Sequence, residues 1–338
     1  MGRRKIKFKP INLKGISPVP AAEAEASPPW MELPLDLTAN ILQRLGAVEI
    51  LGSAQKVCAT WRNLCQDPAM WRVINIINPD RIYSGECTNM CRRAVDRSHG
   101  QLIDVTLVFF GRDELLDYIV LRSRHLRCLT LAYCDEISTT ALITAVKKLP
   151  QLEELHLIKQ YIPAGDIQTI GISCPMLKSF TSNHGRLSRR CWKRSQRMRR
   201  RFRGYSENDE AVAIAKSMPN LHHLRLFANY LNNEGLEAIL DGCPRLESLD
   251  LRQCFGLDLV GALGKRCRDQ IKHLKLPSDS DDDPEWIARE SFYSLSPLYR
   301  SDSCEDYYFH CDYEFHQDYT VYTGYDIDYF DDDDVVVL

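Results

Sequence analysis

The pattern L-x-x-L-x-L recurs along this chain at a nearly constant interval, and that interval constrains the fold more than any other feature. It occurs as Leu126-Leu129-Leu131 and Leu152-Leu155-Leu157, then as Leu221-Leu224-Leu226, Leu246-Leu249-Leu251 and Ile271-Leu274-Leu276. Within these two groups the first residues are 26, 25 and 25 apart. A weaker copy, Leu177-Phe180-Ser182, falls 25 after Leu152 and 44 before Leu221, while Trp71-Ile74-Ile76 and Leu102-Val105-Leu107 extend the frame toward the N-terminus. Alternating leucines mark a strand with one buried face. Helical stretches lie between strands, at 113–121, 139–149, 211–218 and 235–240. Four units close on Pro150, Pro175, Pro219 or Pro244, where proline stops the helix before the next strand. A unit of strand, loop, helix and proline cannot bury its apolar face alone, so neighbours must stack. The predicted fold is α/β: a solenoid with parallel strands inside and helices outside, whose extended face suits binding better than catalysis.

Composition narrows the class. Hydrophobic residues make up 44% of the 338, enough for a sizeable core. No run approaches the roughly 18 apolar residues of a membrane helix, so no membrane partner is expected. The N-terminus is basic but no apolar segment of a secretory signal follows it. The thirteen cysteines form no C-x-x-C pair, and the expected setting is reducing, nucleus or cytoplasm. Cys134 and Cys254 fall at L-x-x-L-x-L-x-x-C, and Asn229 takes the same place in another unit, which gives them a packing role. Net charge is −3, but residues 278–338 hold eighteen acidic and two basic residues, so the remainder carries +13.

The chain divides accordingly. Residues 1–29 read as a disordered basic tail broken by Pro18, Pro20, Pro28 and Pro29. Residues 30–71 form a compact helical module: Leu37, Ile41 and Leu45 recur at helical spacing, Gly46 stops that helix, a second runs through 49–58 and a third through 59–64. About 40 residues make a marginal core, so this module gains from an apolar partner or from docking on its neighbour. The repeats fill 72–277, with an insertion loop at about 185–205 that carries ten Arg or Lys and no acid between residues 186 and 203. Residues 278–338 read as a disordered, acidic, tyrosine-rich tail.

Residues 31–71 resemble an F-box, through Leu33-Pro34 at the helix entry, Ile41, Leu42, Leu45, Ile50-Leu51, Val57-Cys58, Trp61-Arg62 and Trp71. The repeats are similar to those of plant F-box/leucine-rich-repeat proteins of the Skp-interacting-partner group, through residues 243–254 (CPRLESLDLRQC) and Gly264-Lys265-Arg266-Cys267. The resemblance implies a three-helix module that docks on a Skp-type adaptor, and through it a substrate-recognition subunit of an SCF-type cullin–RING ubiquitin ligase. It implies adaptor contacts from Leu33, Pro34, Ile41, Leu42, Leu45, Ile50, Leu51, Val57 and Trp61, and a protein target held by the repeats. No cofactor is implied.

Side chains alternate along a strand. Positions between the leucines therefore place Glu154, His156, His223, Arg225, Asp250 and Lys275 on the concave face, as candidates for target binding. A solvated polar face is the competing reading of each. The arginine run with Trp192 and Phe202 admits phosphate contact and base stacking, but a basic loop explains it more simply, and nucleic acid is not an expected partner. Cys87-x3-Cys91 lacks a matching pair at structural-zinc spacing, so no metal is expected. No nucleophile–base signature or phosphate loop occurs, so no catalytic residues are assigned. A repeat scaffold acting outside a ligase is the alternative function, with a nucleic-acid-associated protein acting through the arginine-rich loop as a third reading.

Overall fold

The computed structural model describes residues 33–78, 84–160, 162–183 and 207–280. The expected basic tail (1–29), the acidic tail from 281 onward and the whole of the arginine-rich insertion lie outside these residues. Three short helices come first, α1 (Leu35–Gln43), α2 (Gly46–Gly52) and α3 (Ala59–Leu64). Eight strands follow: β1 (Val73–Ile77), β2 (Asp104–Val108), β3 (Cys128–Ala132), β4 (Glu154–Ile158), β5 (Ser179–Asn183), β6 (His223–Arg225), β7 (Ser248–Asp250) and β8 (His273–Lys275). The crossovers carry α4 (Ser84–Arg97), α5 (Asp113–Arg122), α6 (Thr139–Val146), α7 (Ala164–Ser173), α8 (Asp209–Ser217), α9 (Asn233–Gly242) and α10 (Ala262–Gln270). The strands form one sheet in chain order, every neighbouring pair parallel.

The register explains why the leucines recur. Ile74, Val105, Leu129, Leu155, Phe180, Leu224, Leu249 and Leu274 stand side by side across the sheet. All of them except Leu274 are buried, and the row beside them (Ile76, Leu107, Leu131, Leu157) is fully so. Each such side chain contributes about 1.5–3 kcal/mol on burial, and each needs its neighbour's row to be buried at all.

The loop leaving each strand adds a second repeating device. Phe109, Tyr133, Lys159, Ala228 and Gln253, each just beyond the strand, hold φ between 56° and 67°. That left-handed backbone costs a non-glycine residue roughly 1–2 kcal/mol. In return each N–H donates to the next unit: Phe109 to Ala132 O at 2.9 Å, Tyr133 to Ile158 O at 2.9 Å, Lys159 to Asn183 O at 2.7 Å. The turn also swings the following residue inward. Cys134 thereby donates from Sγ to Phe110 O at 3.1 Å and Cys254 to Leu226 O at 2.7 Å, while Asn229 accepts from Leu231 N at 2.9 Å. Burial pushes the Cys254 thiol well above its usual range.

Side-chain bonds about one repeat apart tie the helix entries together. Asp113 accepts from both the backbone N–H and the hydroxyl of Ser138, each at 2.7 Å, while Ser138 caps α6 by accepting from Ala141 N. Asn208 and Asn232 pair reciprocally, and Asn232 caps α9.

Three helices escape the sequence pattern. α4 is mostly polar and faces the core with the small residues Cys87, Cys91, Ala94 and Val95. Those two cysteines are packing residues on one helix face; burial lifts the Cys91 thiol to about 12. α7 and α10 are likewise narrow stripes of few apolar residues. The second helix expected over 49–58 instead ends at Gly52, after which Ala54–Lys56 forms a single 3₁₀ turn.

The helical trio shares one core with the repeats, running from Leu42 to Ile271. Trp71 is the joint. It is 1% exposed, its indole N–H donates to Cys65 O at 2.9 Å, and Arg97 of α4 lies 5.4 Å over its ring while reaching Gln55 at 2.8 Å. Trp71→Ala should cost about 3–5 kcal/mol, read as a lower urea midpoint that tracks both the helical module and the repeats.

Candidate adaptor and target surfaces

The first surface is the outer side of the helical trio. Pro34 opens α1, with its carbonyl accepting from the backbone and hydroxyl of Thr38 at 3.0 and 3.1 Å. Thr38 and Leu42 then turn inward as the buried residues of α1. The apolar stripe Leu37, Ile41 and Leu45 faces out, not in. Gly46, at φ 78°, reverses the chain so that α2 buries Ala47, Ile50 and Leu51.

The residues expected at the adaptor therefore separate. Leu33, Ile41, Leu45 and Val57 are 38%, 47%, 42% and 49% exposed, with Pro34 exposed and Trp61 half-buried beside the core. Leu42, Ile50 and Leu51 are instead core residues, because the module's small interior needs them. Leu35, Leu37 and Val48 are exposed and were not among the expected contacts. Of twelve large hydrophobics that stand exposed among the described residues, seven lie between 33 and 57. Exposed apolar residues gathered this densely are a general feature of surfaces that a partner covers.

The second surface is the open face of the sheet, opposite the helices. All six expected residues share it. One row runs Asp104, Cys128, Glu154, Ser179, His223, Ser248, His273, and the next runs Asn75, Thr106, Thr130, His156, Thr181, Arg225, Asp250, Lys275. Glu154 and His223 are exposed, and His156, Arg225 and Lys275 half-buried. The hydrogen bond from His156 holds the Glu154 carboxyl below its ordinary range, with His223 and Lys178 adding to the effect.

Asp250 is different. It is 5% exposed, bonded by Arg252 Nη2 at 2.6 Å and Nε at 3.0 Å, and paired with Arg225 Nε at 3.1 Å. Arg252, 2% exposed, also donates to Ser280 O at 3.1 Å and lies 5.6 Å over the Phe227 ring. Asp250 is thus the hub of a buried ionic cluster, and Arg252 is a member that strand alternation alone did not single out. At the other end of this face Val108, Ala132 and Ile158 stand in register as a small apolar cluster with Phe109, whose ring lies 4.9 Å from that of Tyr133. Removing one partner of a buried ion pair leaves the other uncompensated. Asp250→Ala should cost about 3–5 kcal/mol in urea unfolding, whereas Arg225→Ala, at a partly solvated pair, should cost no more than about 1 kcal/mol.

Residues 30–77 match the F-box-like family model, and so cover the helical trio and β1. The chain is 47% identical to the putative F-box/LRR-repeat protein 23 of Arabidopsis thaliana over 75% of its own length, spanning 54% of that relative's. It is 42% identical to the F-box protein SKIP19 of the same plant over 86% of its length and 93% of the relative's, and 44% identical to the putative F-box/LRR-repeat protein 21 over 75% and 83%. An exposed apolar face on a helical trio, joined through one core to a parallel sheet of stacked leucine repeats, agrees with these likenesses, and the chain belongs to the plant F-box/leucine-rich-repeat proteins of the SKIP group.

Proposed function

We propose that the chain is a substrate-recognition subunit of an SCF-type cullin–RING ubiquitin ligase, with the helical trio docking on a Skp-type adaptor and the open face of the sheet holding a protein target. F-box proteins serve generally as substrate adaptors in such ligases, and membership of the group gives this chain that general role. The observation that supports the adaptor contact is the outward stripe of α1. Leu37, Ile41 and Leu45 lie at i, i+4 and i+8, with Leu33 and Leu35 ahead of them, which is the pattern of anchors for a hydrophobic groove. No helix among the described residues is long and apolar enough to cross a membrane.

The physical contribution to catalysis is proximity. A target lysine held beside a charged conjugating enzyme reacts as though at high effective concentration. The bond chemistry belongs to other subunits, so this chain supplies two surfaces and a rigid distance between them. The shared core through Trp71 provides that rigidity.

Leu37→Ala combined with Ile41→Ala should weaken adaptor binding at least about 30-fold, as expected for two anchor residues, while circular dichroism and the urea midpoint stay unchanged. Leu42→Ala should do the reverse, lowering stability before it touches binding. Undiminished adaptor pull-down by the double variant removes the assignment. His223→Glu with Lys275→Glu should lower ubiquitination of a target by the reconstituted ligase and leave adaptor binding intact; normal turnover in that variant places the target elsewhere.

A further inference from the structure

Among the described residues, one group of metal-ligating side chains converges, and it lies on the open face. Cys128 of β3 and Glu154 of β4 are register partners, and His156 follows two residues along the same strand, so all three project from one side. One ligand atom from each, Sγ, a carboxylate oxygen and an imidazole nitrogen, lies within 4.8 Å of the others. His156 Nε2 and Glu154 Oε2 are 3.3 Å apart. That matches the edge of a tetrahedron with bonds of about 2.0 Å, the length zinc makes to nitrogen and oxygen.

The imidazole is also oriented for such a bond. Nδ1 lies 2.9 Å from the Thr181 hydroxyl, and Thr181 is 4% exposed. The Nδ1–Thr181 contact leaves Nε2 as the nitrogen aimed at Glu154, and a metal ion bound there takes the place of the proton that His156 otherwise donates to the carboxylate. A polar group behind the histidine is also what fixes the tautomer in zinc sites. Cys128 is half-buried and sits beside Asp104 as well as Glu154; burial pushes its thiol up, and the two carboxylates add to the effect. A thiolate, an imidazole and a carboxylate together form a donor set that favours zinc over magnesium or calcium.

We propose that Cys128, Glu154 and His156 form a zinc site on the open face, with three protein ligands and a fourth position directed at whatever docks there. Binding breaks the Cys128 Sγ–H bond and forms a zinc–sulfur bond, and the proton passes to the buffer, so affinity rises with pH. The fourth position takes water or a donor from the target, such as a histidine or carboxylate side chain. The site stands whether or not the ligase reading does, because its test needs no adaptor.

The full-length chain, stripped of metal with a chelator, is titrated with cobalt(II) as a spectroscopic substitute for zinc. One equivalent should produce a thiolate-to-cobalt charge-transfer band with tetrahedral visible absorption, and zinc should abolish both. Cys128→Ser should remove the charge-transfer band. His156→Ala and Glu154→Gln should each weaken binding at least about tenfold, and Thr181→Val by about 10–100-fold through the lost partner of Nδ1. Cys58→Ser should retain the full signal, and circular dichroism should be unchanged in every variant. No charge-transfer band from the wild-type chain at stoichiometric cobalt overturns the proposal, as does a band that survives in Cys128→Ser, which would assign the metal to other cysteines.

Discussion

Each repeat can bury its leucines only against the repeat beside it. A strand residue such as Leu129 presents one face to the helices and its two edges to Val105 and Leu155. Take away either neighbour and half of that contact meets water. The parallel register follows from this, since a slip of one residue would turn Leu129 and Leu131 outward and bring Thr130 in. The same dependence explains why the ladder is closed at its start by Trp71 and the helical trio. A solenoid's first unit has no predecessor to cover it, and terminal units need a cap of different character.

That capping duty divides the helical trio into two sides with opposite demands. Leu42, Ile50 and Leu51 face the shared core, and Leu33, Leu35, Leu37 and Ile41 face away from it. A module of this size cannot enclose both sets. In helical sequence terms α1 looks amphipathic around Leu37, Ile41 and Leu45, which ordinarily marks the inward stripe. The structure inverts it, with Thr38 taking an inward position by bonding its hydroxyl to Pro34 O. A polar residue can sit there only because its hydrogen bond is met locally.

The same contrast shows how much was legible beforehand. The eight strands and their order follow from the leucine spacing, because alternation along a strand is a local property and the period forces adjacent strands to pair. The helices α5, α6, α8 and α9 were visible for the same reason. α4 was not, because its inward face is made of Cys87, Cys91, Ala94 and Val95, small residues that register weakly as apolar. The open face was legible as a set of positions but not as chemistry. Asp250 stands in the row as expected, yet its burial depends on Arg252 two residues on and Arg225 one strand back, and only the fold brings those together. Cys128 and Glu154 are 26 residues apart in sequence and register partners in the sheet, a relation that no local motif contains.

The open face is therefore not a uniform polar lining. Toward β2–β4 it offers threonine hydroxyls from Thr106 and Thr130, with Val108, Ala132 and Ile158 in the next row. Toward β6–β8 it becomes ionic, but its strongest charges are already spent on one another around Asp250. Buried pairs of that kind fix geometry more than they add net attraction, so their effect is to hold Arg225 in one orientation at the middle of the sheet. Glu154 and His223 are the exposed members of the outer row, and there solvent screens any charge within about 8 Å at physiological salt. Long-range attraction is then a small part of what this face can offer. On the proposed reading, discrimination among targets comes from close fit along the rows, where a wrong side chain leaves a buried hydroxyl or imidazole without its partner and costs about 1–3 kcal/mol for each one.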